Sequence, residues 1–352
     1  MMAKETYGMA IVGFGGMGSW HREFAHKIEE LKVTGIYDIK ESRRNFARDN
    51  NIYVYESLKE VLEDEKVNIV LVATPNDVHK EISIKALKSG KHVVCEKPAM
   101  MNSEELEEVI GVSKEVNKLF VVHQNRRWDE DFLTIKKIYD NNMLGGIYNI
   151  ESRVHGSRGI PGDWRQEEEH GGGMLLDWGV HILDQMLCMV KERVSKVYCK
   201  FTHVTNELVD DGFKIILTFE SGKTALLEVG TSNFISLPRW YVLGLNGSAI
   251  IEDWSLKGKI VRVKNWEDKD AVPIRAASGL TKTMAPRLDN TIFEEELPIQ
   301  KSDLSEYYKN VLRAIEGRAE IIVKNEEVLR VMKLMEACFK SDELQTAVDF
   351  EV

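Results

Sequence analysis

The feature that most constrains this chain is Gly13-Phe-Gly15-Gly-Met-Gly18. It is a G-x-G-x-x-G run placed directly after the apolar stretch 9–12 and ahead of a helical pattern. The first glycine permits a tight turn, the second lets main chain approach a pyrophosphate, and the third packs helix against strand. The N–H groups of the helix start then face phosphate oxygens. Asp38 closes the next apolar stretch, 20 residues after Gly18, where a carboxylate takes the ribose hydroxyls of an adenosine. The spacing predicts a βαβ unit that holds a dinucleotide through Gly13, Phe14, Gly15, Gly16, Met17, Gly18 and Asp38. Asp38 favours NAD over NADP because it would repel a 2′-phosphate. Arg43 and Arg44 follow shortly after and could accommodate that phosphate, although a solvated helix face is the simpler reading of both.

Short apolar runs at 33–37, 67–74, 92–96 and 119–123 alternate with helical patterns at 77–89 and 103–116. That rhythm predicts a parallel sheet with crossover helices, and Ser103 is expected to cap the second of these helices. Beyond residue 124 the rhythm changes. A helix over 131–141 leads through Gly145-Gly146 into a strand, and a glycine-rich turn precedes a helix over 174–190. Alternating segments at 196–205, 213–219, 223–230, 240–245 and 248–254, with turn-type joins such as Asn246-Gly247, predict an antiparallel meander. Residues 271–290 read as a loop with two prolines, and within it 281–287 suits a lid or an oligomer contact. Two helices, 303–317 and 325–341, follow. The expected fold class is α/β: a Rossmann dinucleotide-binding domain over 1–124, then an α+β domain over 125–352 with a large open, mostly antiparallel sheet. The last helices are free to pack back on the first domain.

Composition narrows the function classes. A net charge of −10 over 352 residues argues against nucleic acid as the main partner. The four cysteines show no paired spacing, so neither a disulfide framework nor a structural zinc site is expected. Neither a signal peptide nor a membrane span is legible, and a cytoplasmic enzyme is the expectation.

Four motifs carry a resemblance. They are Gly13 to Gly18; Ala73-Thr-Pro-Asn76 followed by His79; Glu96-Lys97-Pro98; and Gly171-Gly-Gly-Met-Leu-Leu-Asp177-Trp-Gly-Val-His181-Ile-Leu-Asp184. Together they make the chain resemble the glucose–fructose oxidoreductase, inositol dehydrogenase and MocA family over nearly its whole length. The resemblance implies that Thr74, Pro75, Asn76, His79, Glu96, Lys97 and Gln124 line the cofactor site and that Lys97, Asp177 and His181 form the reaction centre. It also implies an oligomer, a homodimer or homotetramer, built on the second domain's sheet.

The chemistry of those residues agrees with that implication. Oxidising a secondary alcohol removes the hydroxyl proton as hydride leaves the carbon. An imidazole suits the proton step, and an ammonium such as Lys97 stabilises charge developing on the oxygen. On a helix, Asp177, His181 and Asp184 would share one face. Arg126, His155, Trp164 and Arg165 are candidates for the substrate pocket. His181 and Asp184 offer two metal ligands with no third at conventional spacing, so no metal is expected. The expected activity is NAD-dependent oxidation or reduction of a sugar, glycoside or cyclic polyol, a step in carbohydrate metabolism. The alternative is a non-catalytic NAD- or sugar-sensing regulator on the same fold.

Overall fold

Apolar runs without polar alternation build the first layer. In the computed structural model, which describes residues 6–266, 273–284 and 286–351, β1 (Tyr7–Val12), β2 (Leu31–Tyr37), β3 (Ile69–Val72), β4 (His92–Cys95) and β5 (Phe120–Val122) form a parallel sheet in the order β2-β1-β3-β4-β5. Every residue of β1, β3 and β5 is buried, as expected of strands covered on both faces. Between the strands run α1 (Gly16–Ala25), α2 (Glu41–Asp49), α3 (Leu58–Glu63), α4 (His79–Lys88) and α5 (Ser103–Glu115). The cap of α5 is Asn102, whose side chain accepts from Glu105 N at 2.9 Å. Ser103, the expected cap, is already helical and gives its hydroxyl to Glu336.

The second layer begins with α6 (Glu130–Asp140), β6 (Ile147–His155) and α7 (Val180–Met189). It continues through β7 (Val194–Thr202), β8 (Gly212–Phe219), β9 (Thr224–Gly230), β10 (Trp240–Gly244), β11 (Gly247–Ile251) and β12 (Gly258–Val263). A small hairpin, β13 (Ile274–Ala276) and β14 (Gly279–Thr281), precedes β15 (Ile292–Glu295). Then come α8 (Ser305–Ile315), α9 (Asn325–Leu344) and β16 (Val348–Asp349). Among the described residues the large sheet has the order β15-β12-β11-β10-β6-β9-β8-β7-β16.

Two expectations are corrected here. The sheet is not a simple meander, because β6 and β9 pair in parallel at its centre, while its other pairings are antiparallel. The stretch 271–290 is not wholly loop, since it holds the β13–β14 hairpin; residues 271, 272 and 285 lie outside those described.

One face of the large sheet is sealed by helices. Ser341 Oγ on α9 accepts from Cys199 N at 2.9 Å, and Asp342 Oδ1 accepts from Phe201 N at 2.9 Å. Trp240 Nε1 donates to Asp131 on α6 at 2.7 Å. The C-terminal helices also reach the first domain, through Lys333–Glu107 at 2.9 Å and through Tyr308 on α8, whose hydroxyl lies 2.6 Å from His21 Nδ1 on α1. No helix among the described residues is long and apolar enough to cross a membrane.

Candidate functional site

The glycine turn is shaped as its spacing requires. Gly13 has φ +92°, and a Cβ there would sit 2.4 Å from Ala73 O; a Cβ on Gly18 would sit 2.1 Å from Gly13 O. At Gly15 and Gly16 a Cβ would meet no atom within 4 Å, so the outer side of the turn is open at the start of α1, beside the partly exposed Met17. Asp38 holds the turn from β2: its Oδ2 accepts from Phe14 N at 2.7 Å and its Oδ1 from Lys40 N at 2.8 Å. Arg44 is turned back on Glu41 and on the Asp38 main-chain oxygen.

Thr74 Oγ1 and both polar ends of Gln124 are buried and find no hydrogen-bond partner. Buried polar groups are rarely left so. Orphaned donors and acceptors just after β3 and β5, at the same edge of the sheet as the open phosphate cradle, are what a bound dinucleotide would satisfy, and the residues present therefore fit one. Asn76 and His79 do other work. Asn76 Nδ2 donates to Gly171 O at 2.9 Å, tying the first domain's loop to the glycine run of the second. The His79 ring is fully buried between Pro98 O at 3.1 Å and Thr74 O at 3.0 Å. It braces the two loops that carry Pro75 and Lys97, rather than presenting a nitrogen to an open surface.

Lys97 leaves the end of β4 and reaches into the second domain. Its Nζ donates to Asp177 Oδ1 at 2.8 Å and to the Asp177 main-chain oxygen at 2.9 Å. On the other side Asp177 Oδ2 lies 3.3 Å from Arg165 Nε. Burial pushes the Asp177 carboxyl up, but Lys97 and Arg165 outweigh it and hold the group below its ordinary range. His181 is buried, and its Nδ1 has no hydrogen-bond partner. Burial first, then the charges of Lys97 and Arg126, hold its imidazole well below the usual value. A neutral ring with a free ring nitrogen can take a proton, and the neighbouring ammonium can steady an oxyanion.

Asp177 and His181 are held by an irregular helix. Residues Leu175–Gly179 form a π turn that runs into α7. Its entry is clamped by Asp210, whose Oδ2 accepts from Leu175 N at 2.8 Å and whose main-chain oxygen accepts from Met174 N at 2.9 Å. The π turn interrupts the regular helix on which Asp177, His181 and Asp184 were expected to share a face. Asp184 instead pairs with Arg127 in a buried two-pronged bridge, at 2.8 and 2.6 Å.

The remaining candidates divide. Arg126 pairs with Asp129 at 2.9 Å and lies 4.0 Å over the ring of Trp178, which stands edge-on to His181 at 5.9 Å. Trp164 lies under the Arg165 guanidinium at 4.6 Å, and Arg165 borders Asp177. His155 is engaged within the sheet, accepting from Leu237 N at 3.2 Å and facing Glu228 at 3.7 Å.

Sequence reasoning missed the buried cluster behind Lys97. Glu96 Oε1 lies 2.7 Å from His21 Nε2 and 2.8 Å from His123 Nδ1, while Oε2 accepts from Lys97 N at 3.2 Å. Burial alone would raise the Glu96 carboxyl, but His123 and His21 outweigh it and hold it well below its ordinary range. Burial, then His123, pushes the His21 ring down to about 4. A neutral ring still donates, so Nε2–H of His21 serves Glu96 and Nδ1 accepts from Tyr308. Glu96 therefore faces inward and fixes the main chain of Lys97. The signal available was His21 itself, a polar residue on the inner face of α1.

A family model for "Oxidoreductase family, NAD-binding Rossmann fold" matches residues 7–124, and one for the GFO/IDH/MocA C-terminal domain matches residues 132–250. An uncharacterized oxidoreductase of Schizosaccharomyces pombe is 30% identical over 332 residues, covering 85% of each chain. The scyllo-inositol 2-dehydrogenase (NADP(+)) of Bacillus subtilis is 28% identical, over 99% of this chain and 97% of its own. Among solved structures, an NAD-binding protein from Listeria innocua is 49% identical with a TM-score of 0.96, over 98% of this chain and 100% of that one. With its Rossmann cradle and its mixed second sheet, the chain belongs to the GFO/IDH/MocA oxidoreductase family.

Proposed function

We infer that the protein is an NAD-dependent dehydrogenase that oxidises or reduces a secondary hydroxyl of a sugar, glycoside or cyclic polyol. The observation that carries this reading is Lys97, tied to Asp177, with its charge acting on a buried His181 whose Nδ1 is unpartnered. Residues 1–124 would hold the cofactor and 125–352 would shape the substrate pocket. The nicotinamide supplies a hydride acceptor or donor; everything else falls to the chain. His181 takes the hydroxyl proton on its neutral ring. Lys97 holds the hydroxyl oxygen and stabilises charge that develops there. Asp177, itself held by Arg165, keeps the Lys97 ammonium aimed, and Arg126 and Trp164 border the ring to be bound. Asp38 supports NAD rather than NADP, since a carboxylate at the end of β2 would repel a 2′-phosphate and Arg44 is occupied by Glu41.

The test is turnover of a polyol and glycoside panel with NAD and, separately, NADP. With the best substrate, His181→Ala and Lys97→Ala should each lower kcat by about 10²- to 10⁴-fold, with cofactor affinity nearly unchanged in His181→Ala. The double variant should lose less than the product of the two. Wild-type kcat in His181→Ala would remove the proton acceptor from the mechanism. Tight binding of NAD and a sugar without turnover would instead identify a sensor.

A further inference from the structure

A concavity of about 220 Å³ is lined by Arg126, Asp129, Glu130, Asp131, Trp254 and Leu256. It is smaller than the roughly 300–1,000 Å³ of pockets that take a whole drug-sized ligand, and it suits a single ring. Trp254, on the turn between β11 and β12, is 50% exposed, yet it is held firmly. The Arg239 guanidinium lies 4.8 Å from its ring, that of Arg126 5.6 Å, and the Trp178 ring 6.1 Å. Arg239 is itself buried and fixed by Asp131 at 3.0 Å and by Gln185 at 3.0 Å. Ring-to-ring steps of 5.9 Å and 6.1 Å lead from His181 through Trp178 to Trp254, and Arg126, which lines the concavity, also lies 4.0 Å over the Trp178 ring.

Its chemistry is that of a sugar subsite. An indole that is fixed but half-exposed offers an apolar face to the C–H side of a pyranose. The carboxylates accept from neighbouring hydroxyls, and Arg126 Nε is buried with no hydrogen-bond partner, leaving a donor for a ring or hydroxyl oxygen. The acids do not make a cation site, because Asp129 is paired with Arg126, Asp131 with Arg239 and Glu130 with Lys301. A neutral polyhydroxylated ring matches this balance. We propose that the concavity binds a second sugar ring, so that the preferred substrate is a disaccharide or extended glycoside. Its oxidised ring lies at Lys97 and His181, and its other ring stacks on Trp254. This rests on the sugar-dehydrogenase reading above.

The test compares cellobiose, maltose and lactose with methyl glucoside and methyl galactoside on the full-length protein saturated with NAD. It also measures calorimetric binding of the same disaccharides to the NADH-loaded protein. At least one disaccharide should be favoured in kcat/KM by about tenfold, the scale of one stacked ring, and Trp254→Ala should bring that ratio near one. Disaccharide binding should weaken by a similar factor. Trp266→Ala, which removes an indole 58% exposed elsewhere on the sheet, should leave both readouts as in the wild type. Turnover with equal kcat/KM for the two classes, and binding indifferent to Trp254, would overturn the subsite while leaving the dehydrogenase standing. Binding that depends on Trp254 without any turnover would do the reverse. Neither turnover nor binding would overturn both.

Discussion

His181 is the residue whose surroundings say most about its chemistry. A solvated imidazole titrates near 6.5, but here burial, Lys97 and Arg126 all disfavour the charged ring. The ring therefore stays neutral well into the acid range, and kcat/KM should show no acid limb near pH 6.5. Removing one of the depressing charges moves the ring's titration upward, so Lys97→Met should raise it. Both can be read from the pH dependence of the His181 ring proton signals by NMR, without substrate. A wild-type ring that titrates at its ordinary value would mean that the pocket is wetter than its burial implies. Lys97 and His181 stand out as candidates in the sequence because each sits in a short motif: Lys97 at a strand end and His181 behind a glycine run. Their partners do not. Nothing local to Glu96 announces that its carboxylate is shared between rings 75 positions earlier and 27 later, since such contacts depend on how α1 and β5 pack.

At the scale of elements, the π turn over Leu175–Gly179 decides where Asp177 points. Such a turn replaces i→i+4 bonds by i→i+5 bonds, often at functional sites, and leaves no mark in hydrophobic spacing. Hydrophobic spacing reads as a uniform helix over 174–190, which sets Asp177, His181 and Asp184 on one face and gives no sign of the bridge from Asp184 to Arg127. The turn depends on Gly173, which has φ +97°, and a Cβ there would lie 2.2 Å from Asp210 Oδ1. Gly173→Ala therefore meets two obstacles: a left-handed backbone that L side chains avoid, costing about 1–3 kcal/mol, and a collision with the carboxylate that clamps Leu175. We expect a lower melting temperature together with a fall in kcat larger than any rise in KM, as Asp177 and Lys97 lose register. Wild-type kcat in a folded Gly173→Ala protein would show that the clamp does not position the site.

Among the described residues, one face of the large sheet is left partly exposed. Strand register sets Val197, Leu217, Ala225, Ile150, Val242, Ala249 and Ile260 in one row across the large sheet, and all of them are buried. The neighbouring row on the opposite face is Tyr198, Ile216, Leu226, Glu151, Tyr241, Ile250 and Lys259. It is mostly apolar, and Tyr198 and Ile216 are 37% and 44% exposed. Period-two alternation made the two faces legible in sequence, but the parallel join of β6 to β9 was not, because partner choice between distant strands has no local signature. An apolar row on an open sheet needs cover, and a second copy meeting it about a twofold axis supplies a self-complementary surface. We expect a dimer or a dimer of dimers, with a mass by light scattering of at least twice 40.3 kDa. Ile216→Glu combined with Tyr241→Glu places charges on the row without touching the buried face, and should yield a folded monomer that still binds NAD. A wild-type protein that remains monomeric at micromolar concentration, with the same mass as the double variant, would mean that this face is left to water.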